Sequence, residues 1–275
     1  MIEMATKKNR YRVYPLSNGK WGYVDMIGGE VIPVMYDSVW DFEEGLARVQ
    51  LNGKYGFIDI GIEVIPCKYD WAEDFSDGFA LVKLNGKYGF IDKTGEEVIP
   101  CKYDSVWHFS DGLALVKINK KWGFVDTTGK EICPCKYDVI EHFKEGLCAV
   151  CLNGKWGFLD KTGREVIPCK YDNVWNFREG LATVQLNWKW GCIDKAGKEI
   201  IPVVFDDLSM ISSALIVIKI GCKQGVINHN GDYILPCQYD EITVFDKRII
   251  AMKSDTNYVF NLSGDFIKIL NEEYS

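Results

Sequence analysis

The sequence is poor in the residues from which enzymes and metal centres are usually built. It contains only 3 histidines among 275 residues, so a zinc site is not expected. It also lacks a glycine-rich phosphate loop and the glycine-flanked serine of a nucleophile elbow. We therefore predict that the protein is not an enzyme and holds no metal or cofactor.

Two further absences concern the surroundings of the protein. Acidic residues outnumber basic ones by 39 to 32, which gives a formal net charge of −7, so binding of nucleic acid through the overall surface is not expected. No apolar run approaches the roughly 20 residues of a membrane span, and the first residues lack the apolar core of a signal peptide. We expect a cytoplasmic protein that does not enter a membrane.

The 10 cysteines do not form the pattern of a disulfide framework. Five of them follow a repeated proline: Cys67, Cys101, Cys135, Cys169 and Cys237. Residues at one phase of a repeat lie on different units, which are usually too far apart for a disulfide. We interpret them as small buried hydrophobes in a reducing compartment.

What the sequence does contain is one repeated unit, clearest at residues 84–100, LNGKYGFIDKTGEEVIP. Asn85-Gly86 predicts a type I′ hairpin turn, because both residues tolerate positive φ. A second turn follows at residues 93–96. Strand-forming residues flank these turns, and we predict four antiparallel strands, named A, B, C and a short D, at residues 79–84, 87–92, 97–100 and 106–109. Pro100 is expected at the end or edge of strand C, because it has no N–H to donate.

The unit recurs at a nearly constant spacing. An aromatic residue or its replacement marks the start of strand B at Trp21, Tyr55, Tyr88, Trp122, Trp156, Trp190, Gln224 and Tyr258. These positions are 33 or 34 residues apart, a period typical of repeat architectures. The sequence therefore predicts eight repeats over about residues 11–270, in a single domain of residues 1–275.

The repeated motifs resemble those of the bacterial WG-repeat family. The resemblance is carried by Gly-Lys-Trp-Gly at 19–22 and 154–157, Asp-Lys-Thr-Gly at 92–95 and 160–163, and Val-Ile-Pro-Cys-Lys-Tyr-Asp at 98–104 and 166–172. It covers about residues 11–270. The family is characterised mainly by its repeats, so the resemblance implies no particular activity.

The apolar pattern indicates how the units pack. Strand B is apolar on both faces, with Trp122 and Phe124 on one and Val125 on the other, and such a strand is covered on both sides. Its glycine is expected to leave room for the neighbouring unit. Strand A carries a column of small residues that suits a crowded position: Ala47, Ala80, Ala114, Cys148 and Ala182.

An all-β fold of eight antiparallel β-meander repeats can be completed in two ways. We favour a closed eight-bladed β-propeller, because an open stack usually needs polar end caps and the sequence shows none. An open β-solenoid or superhelix is the alternative. Strand D of the eighth unit is missing after Leu270, and residues 1–9 are candidates to supply it.

In such a meander, turns A–B and C–D lie at one end of each sheet, and the other two turns lie at the opposite end. The first end gathers lysines, including Lys155, Lys189 and Lys223, beside the aspartates of the C–D turns. The opposite end is mainly acidic. One interpretation of these two ends is a molecule with opposite charge at the two ends of its axis. The other is that the turns simply carry ordinary solvated surface charge.

Aromatic residues supply the candidate contacts. The D-strand column contains Trp40, Glu73, Trp107, Glu141 and Trp175. A position that accepts both Trp and Glu is not expected deep in the core, and exposed aromatics often anchor partners; packing against a neighbouring sheet is the alternative. Trp188 replaces the favourable glycine of an A–B turn, where no core pattern requires it.

We therefore predict a non-enzymatic scaffold that binds a protein or peptide through an end face or the rim. The candidate contacts are Trp188, Lys155, Lys189, Lys223, Trp40, Trp107 and Trp175. A basic surround with an aromatic centre would suit an acidic partner. One alternative is a small-ligand or enzymatic site in the central channel, with Arg48, Leu81, Leu115, Ala149 and Thr183 as lining; a structural spacer is the other.

Overall fold

The computed structural model describes residues 19–60, 62–212, 214–245 and 247–270, and the backbone of residues 11–15. All regular elements in these residues are β-strands, which confirms the predicted all-β class. None of the described segments forms a helix long and apolar enough to cross a membrane. The chain divides into two compact units, Met1–Lys136 and Tyr137–Ser275, and the predicted single domain stays a prediction.

The described residues of the first unit form four antiparallel sheets, and the last strand ends at the unit boundary. The first sheet contains β1 (Tyr11–Pro15), β2 (Trp21–Asp25) and β3 (Glu30–Tyr36). The second contains β4 (Ser38–Glu43), β5 (Leu46–Leu51), β6 (Lys54–Asp59) and β7 (Ile62–Tyr69). The third contains β8 (Trp71–Ala72), β9 (Phe79–Leu84), β10 (Lys87–Asp92) and β11 (Glu97–Tyr103). The fourth contains β12 (Ser105–Val106), β13 (Leu113–Ile118), β14 (Lys121–Asp126) and β15 (Glu131–Tyr137).

In the second unit, the residues that the structure describes form four further antiparallel sheets. The fifth sheet contains β16 (Val139–Lys144), β17 (Leu147–Leu152), β18 (Lys155–Asp160) and β19 (Glu165–Tyr171). The sixth contains β20 (Asn173–Val174), β21 (Leu181–Leu186), β22 (Lys189–Asp194) and β23 (Glu199–Phe205). The seventh contains β24 (Asp207–Met210), β25 (Ile216–Ile220), β26 (Lys223–Ile227) and β27 (Tyr233–Tyr239). The eighth contains β28 (Glu241–Phe245), β29 (Arg248–Lys253), β30 (Thr256–Asn261) and β31 (Phe266–Leu270).

Each four-stranded sheet pairs its strands in chain order, and the short strand D comes first. Trp71 pairs with Lys83, so strand D joins the strand A that follows it. The prediction placed strand D in the same sheet as the strand C before it, and this is wrong by one strand. A periodic sequence does not show at which strand a sheet begins. The eighth sheet has all four strands, so no strand is missing after Leu270; residues 1–9 lie outside the described residues.

A bulge in strand C explains the glycine of strand B. Tyr88 pairs with Tyr103 and Phe90 pairs with Ile99, so residues 100–102 all face Gly89. A Cβ on Gly89 would lie 2.8 Å from the backbone nitrogen of Cys101 and closer still to the Ile99 carbonyl oxygen. The glycine thus admits strand C of its own sheet, and the prediction that it admits the neighbouring unit is wrong. Equivalent approaches occur at Gly56, Gly123, Gly157 and Gly191.

Pro100 lies inside this bulge, on an edge strand. The predicted edge position is confirmed, but the strand continues past the proline to Tyr103. The edge tolerates a residue that cannot donate a ladder hydrogen bond. The next amide in the bulge, that of Cys101, donates instead to the Glu97 side chain at 3.3 Å, and Cys169 makes the same bond with Glu165 at 3.1 Å.

The core lies between consecutive sheets. Phe57 and Tyr69 of the second sheet pack in one cluster with Ala80 and Ile91 of the third. Phe90 belongs to the cluster between the third and fourth sheets, so strand B is covered on both faces, as predicted. The small column of strand A is fully buried throughout, which confirms that its position is crowded: Ala47, Ala80, Ala114, Cys148 and Ala182.

All ten cysteines are free thiols. The five that follow prolines are only half-buried, and Cys222 is exposed, so the expectation of full burial is wrong for these six. The reason is that five of them lie in the edge strand C. Burial still raises the pKa of the Cys67 and Cys101 thiols to about 11, which keeps both protonated at neutral pH.

Replacing a strand-B glycine should destabilise the fold. In Gly157→Ala the new Cβ would lie 2.7 Å from the backbone nitrogen of Cys169, so we expect a loss of about 2 kcal/mol in the free energy of unfolding, measured with urea. Gly154→Asn is the matched control, since a Cβ there meets nothing within 4 Å and Asn tolerates positive φ. Equal midpoints for the two variants would contradict the proposed role of the bulge.

Candidate functional site

Ion pairs join the A–B turns to the C–D connections, which places both at the same end of the sheets. Six lysines of A–B turns bond in the same way to the aspartate that precedes the next strand D. The pairs are Lys20–Asp37, Lys54–Asp70, Lys87–Asp104, Lys155–Asp172, Lys189–Asp206 and Lys223–Asp240. The second carboxylate oxygen of Asp172 accepts the Asn187 amide at 2.7 Å, so one side chain links two consecutive A–B turns.

These pairs change the electrostatics predicted for this end. The bond from the partner lysine holds the pKa of the Asp172, Asp206 and Asp240 carboxyls below its usual value, so all three are charged at neutral pH. Lys155, Lys189 and Lys223 are therefore neutralised in place by the next aspartate. The basic surround expected around Trp188 is not formed by these lysines, and their role in binding stays a prediction.

Trp188 lies at the tip of the β21–β22 turn with its side chain 85% exposed. Its φ is +64° and that of Asn187 is +51°, so the turn keeps the left-handed geometry that Asn-Gly would adopt freely. A bulky residue in this conformation is uncommon. The expectation that no core contact requires Trp188 is confirmed by its exposure.

The D-strand tryptophans are partly open, as predicted. Trp107 is 51% exposed and Trp175 is 65% exposed. Trp40 is half-buried, because the Arg48 guanidinium lies 4.2 Å from its ring centre and the Tyr55 ring centre is 5.7 Å away. The three residues lie in different sheets: Trp40 and Trp107 belong to the first unit, and Trp175 belongs to the second.

An open pocket of about 680 Å³ lies beside Trp175 in the second unit. Its lining includes Trp175, Thr183 and Trp190 of the sixth sheet, and Leu208 and Met210 of β24 in the seventh. The sequence did not identify this pocket or the roles of Thr183, Trp190 and Met210. The sequence signal that could have indicated the pocket is the variation along strand A, where Arg48 of the second sheet is replaced by the shorter Thr183 in the sixth.

Trp188 borders a second, smaller pocket of about 370 Å³, together with Asn173 and Gln185. Gln185 pairs with Asn173 on one side and with Trp190 on the other. Residues directly opposite each other in antiparallel strands share a face, so Trp190 lies on the face of the sixth sheet that borders this pocket. The structure thus brings Trp188 and Trp175 of the predicted set to one sheet.

Two of the residues offered as the lining of a central channel lie between sheets. Leu81 is buried in the cluster between the third and fourth sheets, and Ala149 is buried in the cluster between the fifth and sixth. That prediction is wrong for these two residues, because alternate side chains of strand A point toward the adjacent sheets. Within the described residues, no three His, Cys, Asp or Glu side chains are placed to hold a metal ion.

The model of the WG containing repeat matches the chain at residues 21–55, 61–88, 88–122, 122–156, 156–190, 190–223 and 225–253. The chain belongs to this family. Most of the WG-repeat matches run from one aromatic position of strand B to the next, so the family repeat is the structural repeat. The eighth sheet continues beyond the last match, through β30 and β31.

No curated protein matches the WG-repeat chain. Similar solved structures include a eukaryotic initiation factor, 10% identical over 94% of both chains with a TM-score of 0.34. Another is Hsv2p of Kluyveromyces lactis, 10% identical over 81% of this chain and 92% of that chain, with a TM-score of 0.33. Likeness this distant carries no information about function.

Changing Trp188 to glycine should stabilise the protein. Glycine adopts φ near +64° without the steric cost that Trp bears, which is worth about 1 kcal/mol in the free energy of unfolding. Lys120→Gly is the matched control, since Lys120 occupies the same turn position with φ +66°. In urea unfolding we expect similar gains for both variants. A loss for Trp188→Gly alone would show that the indole packs in the fold and would remove its support as an anchor.

Proposed function

We propose that this WG-repeat protein is a non-enzymatic scaffold that binds a protein or peptide on the sixth sheet, with Trp188 as the anchor. The observation that carries the proposal is an indole 85% exposed at a turn position whose left-handed φ disfavours it. Neither core packing nor turn geometry accounts for a tryptophan there, whereas burial against a partner does.

The expected gain from such burial is large. A tryptophan covers roughly 150–250 Å², and at about 25 cal/mol per Å² its burial contributes about 4 kcal/mol before the costs of association are subtracted. Trp175 and Trp190 offer further aromatic surface on the same sheet. Trp40 and Trp107 remain candidate contacts for a partner that extends to other sheets.

The proposed partner contact does not depend on the lysines of the A–B turns. Lys155, Lys189 and Lys223 already bond to aspartates, so an acidic partner would have to displace those bonds to use them. We therefore propose that Trp188 supplies affinity through burial, and that any preference for an acidic partner comes from other cations on the sheet.

A selection of phage-displayed peptides on the immobilised protein tests the proposal. Peptides enriched on the wild type should bind Trp188→Gly about 30-fold more weakly, as expected for an interface tryptophan that contributes about 2 kcal/mol, measured with the purified peptides by calorimetry. Lys120→Gly should bind them as the wild type does. Peptides that bind all three proteins equally would overturn Trp188 as the anchor, and a selection without enrichment would count against the scaffold role itself.

For the arrangement of the sheets, we propose the closed eight-bladed ring, with the open solenoid as the alternative. The number of sheets supports it: eight are present, seven of them four-stranded within the described residues, and propellers have four to eight such blades. Small-angle X-ray scattering should give a compact particle with a radius of gyration of about 19 Å. The scattering profile of a rod would contradict the ring and favour the solenoid.

A further inference from the structure

We propose that the pocket beside Trp175 is the specificity site of the scaffold, and that it takes an aromatic side chain of a peptide with a carboxylate next to it. The inference deepens the proposed binding function and rests on it. It is carried by a comparison of two equivalent places in the fold, one filled by the chain itself and one left open.

The filled place lies between the second and third sheets. Arg48, in strand A, extends across this space, and its guanidinium lies 4.2 Å from the Trp40 ring centre. Its Nε is 3.1 Å from the Asp74 carboxylate, and it also donates a hydrogen bond to the carbonyl of Ala72. The fold therefore accommodates a long side chain at this position, held between an aromatic ring and the strand D of the next sheet.

The open place lies between the sixth and seventh sheets. Thr183 occupies the column of Arg48, and it is too short to reach across the space. Trp175 and Trp190 stand where Trp40 and Tyr55 stand in the second sheet, so the aromatic walls are kept. The result is the open pocket of about 680 Å³, a volume within the usual range for ligand sites.

The chemistry of the open pocket differs from that of the filled one. Met210 stands in the column of Asp74, so the carboxylate that paired with the guanidinium is absent. Lys144 and Arg178 line the pocket instead, both exposed, and neither forms an ion pair with any residue that the structure describes. Asp207 is the single carboxylate of the lining, and its Oδ1 already accepts the Leu208 amide at 2.9 Å.

These differences decide the class of ligand. A cation like that of Arg48 would meet two positive charges and only one carboxylate. An apolar body fits against Trp175, Trp190 and Met210, and an anionic group complements Lys144 and Arg178. An aromatic residue beside Asp or Glu in a peptide combines both features.

Asn176 also borders the pocket, but its side chain is directed to the preceding sheet. Its Nδ2 donates to the Glu141 carboxylate of the fifth sheet at 2.7 Å, just as Asp74 of the same column bonds to Arg48 of the sheet before it. The ligand class therefore follows from the aromatic walls and the two cations alone.

The test compares two small probes that share a ring and differ in charge, 3-phenylpropionate and phenethylamine, by calorimetry and by intrinsic tryptophan fluorescence. The anion should bind at least about fivefold more tightly than the amine at low salt, and added salt should reduce the difference. Equal affinities, or tighter binding of the amine, would overturn the proposed preference for an anion.

Two variants locate the binding. Trp175→Glu places in the column the residue that the chain carries at Glu73 and Glu141, so folding should be kept while 3-phenylpropionate binds at least about tenfold more weakly. The double variant Thr183→Arg with Met210→Asp recreates the arrangement of Trp40, Arg48 and Asp74 between the second and third sheets, and it should fill the pocket with the same loss. Phe245→Ser, a 70% exposed aromatic on another strand D, is the control and should bind as the wild type does.

Unchanged binding of 3-phenylpropionate by a folded Trp175→Glu would overturn the pocket as the site. Melting temperature and far-UV circular dichroism establish that each variant is folded. The titration needs no partner, so the pocket can fail while peptides that depend on Trp188 still bind. The peptide selection can likewise fail while the pocket still binds its probe, and the two proposals are therefore judged separately.

Discussion

The close approach of strand C to the glycine of strand B is the constraint on which the rest of each sheet depends. Because Gly89 has no Cβ, residues 100–102 can bulge over it and shift the register between the two strands. The shift brings Tyr103 into the core against the next sheet. It also places Asp104 where its carboxylate meets Lys87 of the preceding turn. One missing side chain thus sets both the packing and the ion pair.

The repeated ion pairs matter more for geometry than for stability. Each is at least partly exposed, and such pairs contribute little free energy. Their consequence is that the repeated lysines and aspartates neutralise one another. In the proposed binding function, recognition is therefore left to positions that differ between sheets. Trp188 and Thr183 are such positions: one adds a ring where the repeat has glycine, and the other shortens a side chain where the second sheet has arginine.

Much of the fold could be predicted because it follows from local chemistry. Asn85-Gly86 predicted its hairpin turn, the alternation around Trp122 predicted strands covered on both faces, and the spacing predicted eight sheets. The bulge could not be predicted, since a proline in an apolar run reads equally well as a strand end. The sequence also did not show that each sheet begins with strand D. This strand is only two residues long in three of the sheets, and no local signal indicates that it pairs with the strand A that follows it.

The sequence by itself determined the all-β class, the repeat and the exposure of Trp188, because period and turn geometry are properties of neighbours along the chain. Only the tertiary structure decided that the lysines are neutralised and that a pocket opens beside Trp175. Both depend on which residue of the next sheet faces a given side chain, Asp172 opposite Lys155 and Met210 across from Thr183. Such contacts join residues that are half a repeat or more apart in the chain, and the sequence does not state which columns meet.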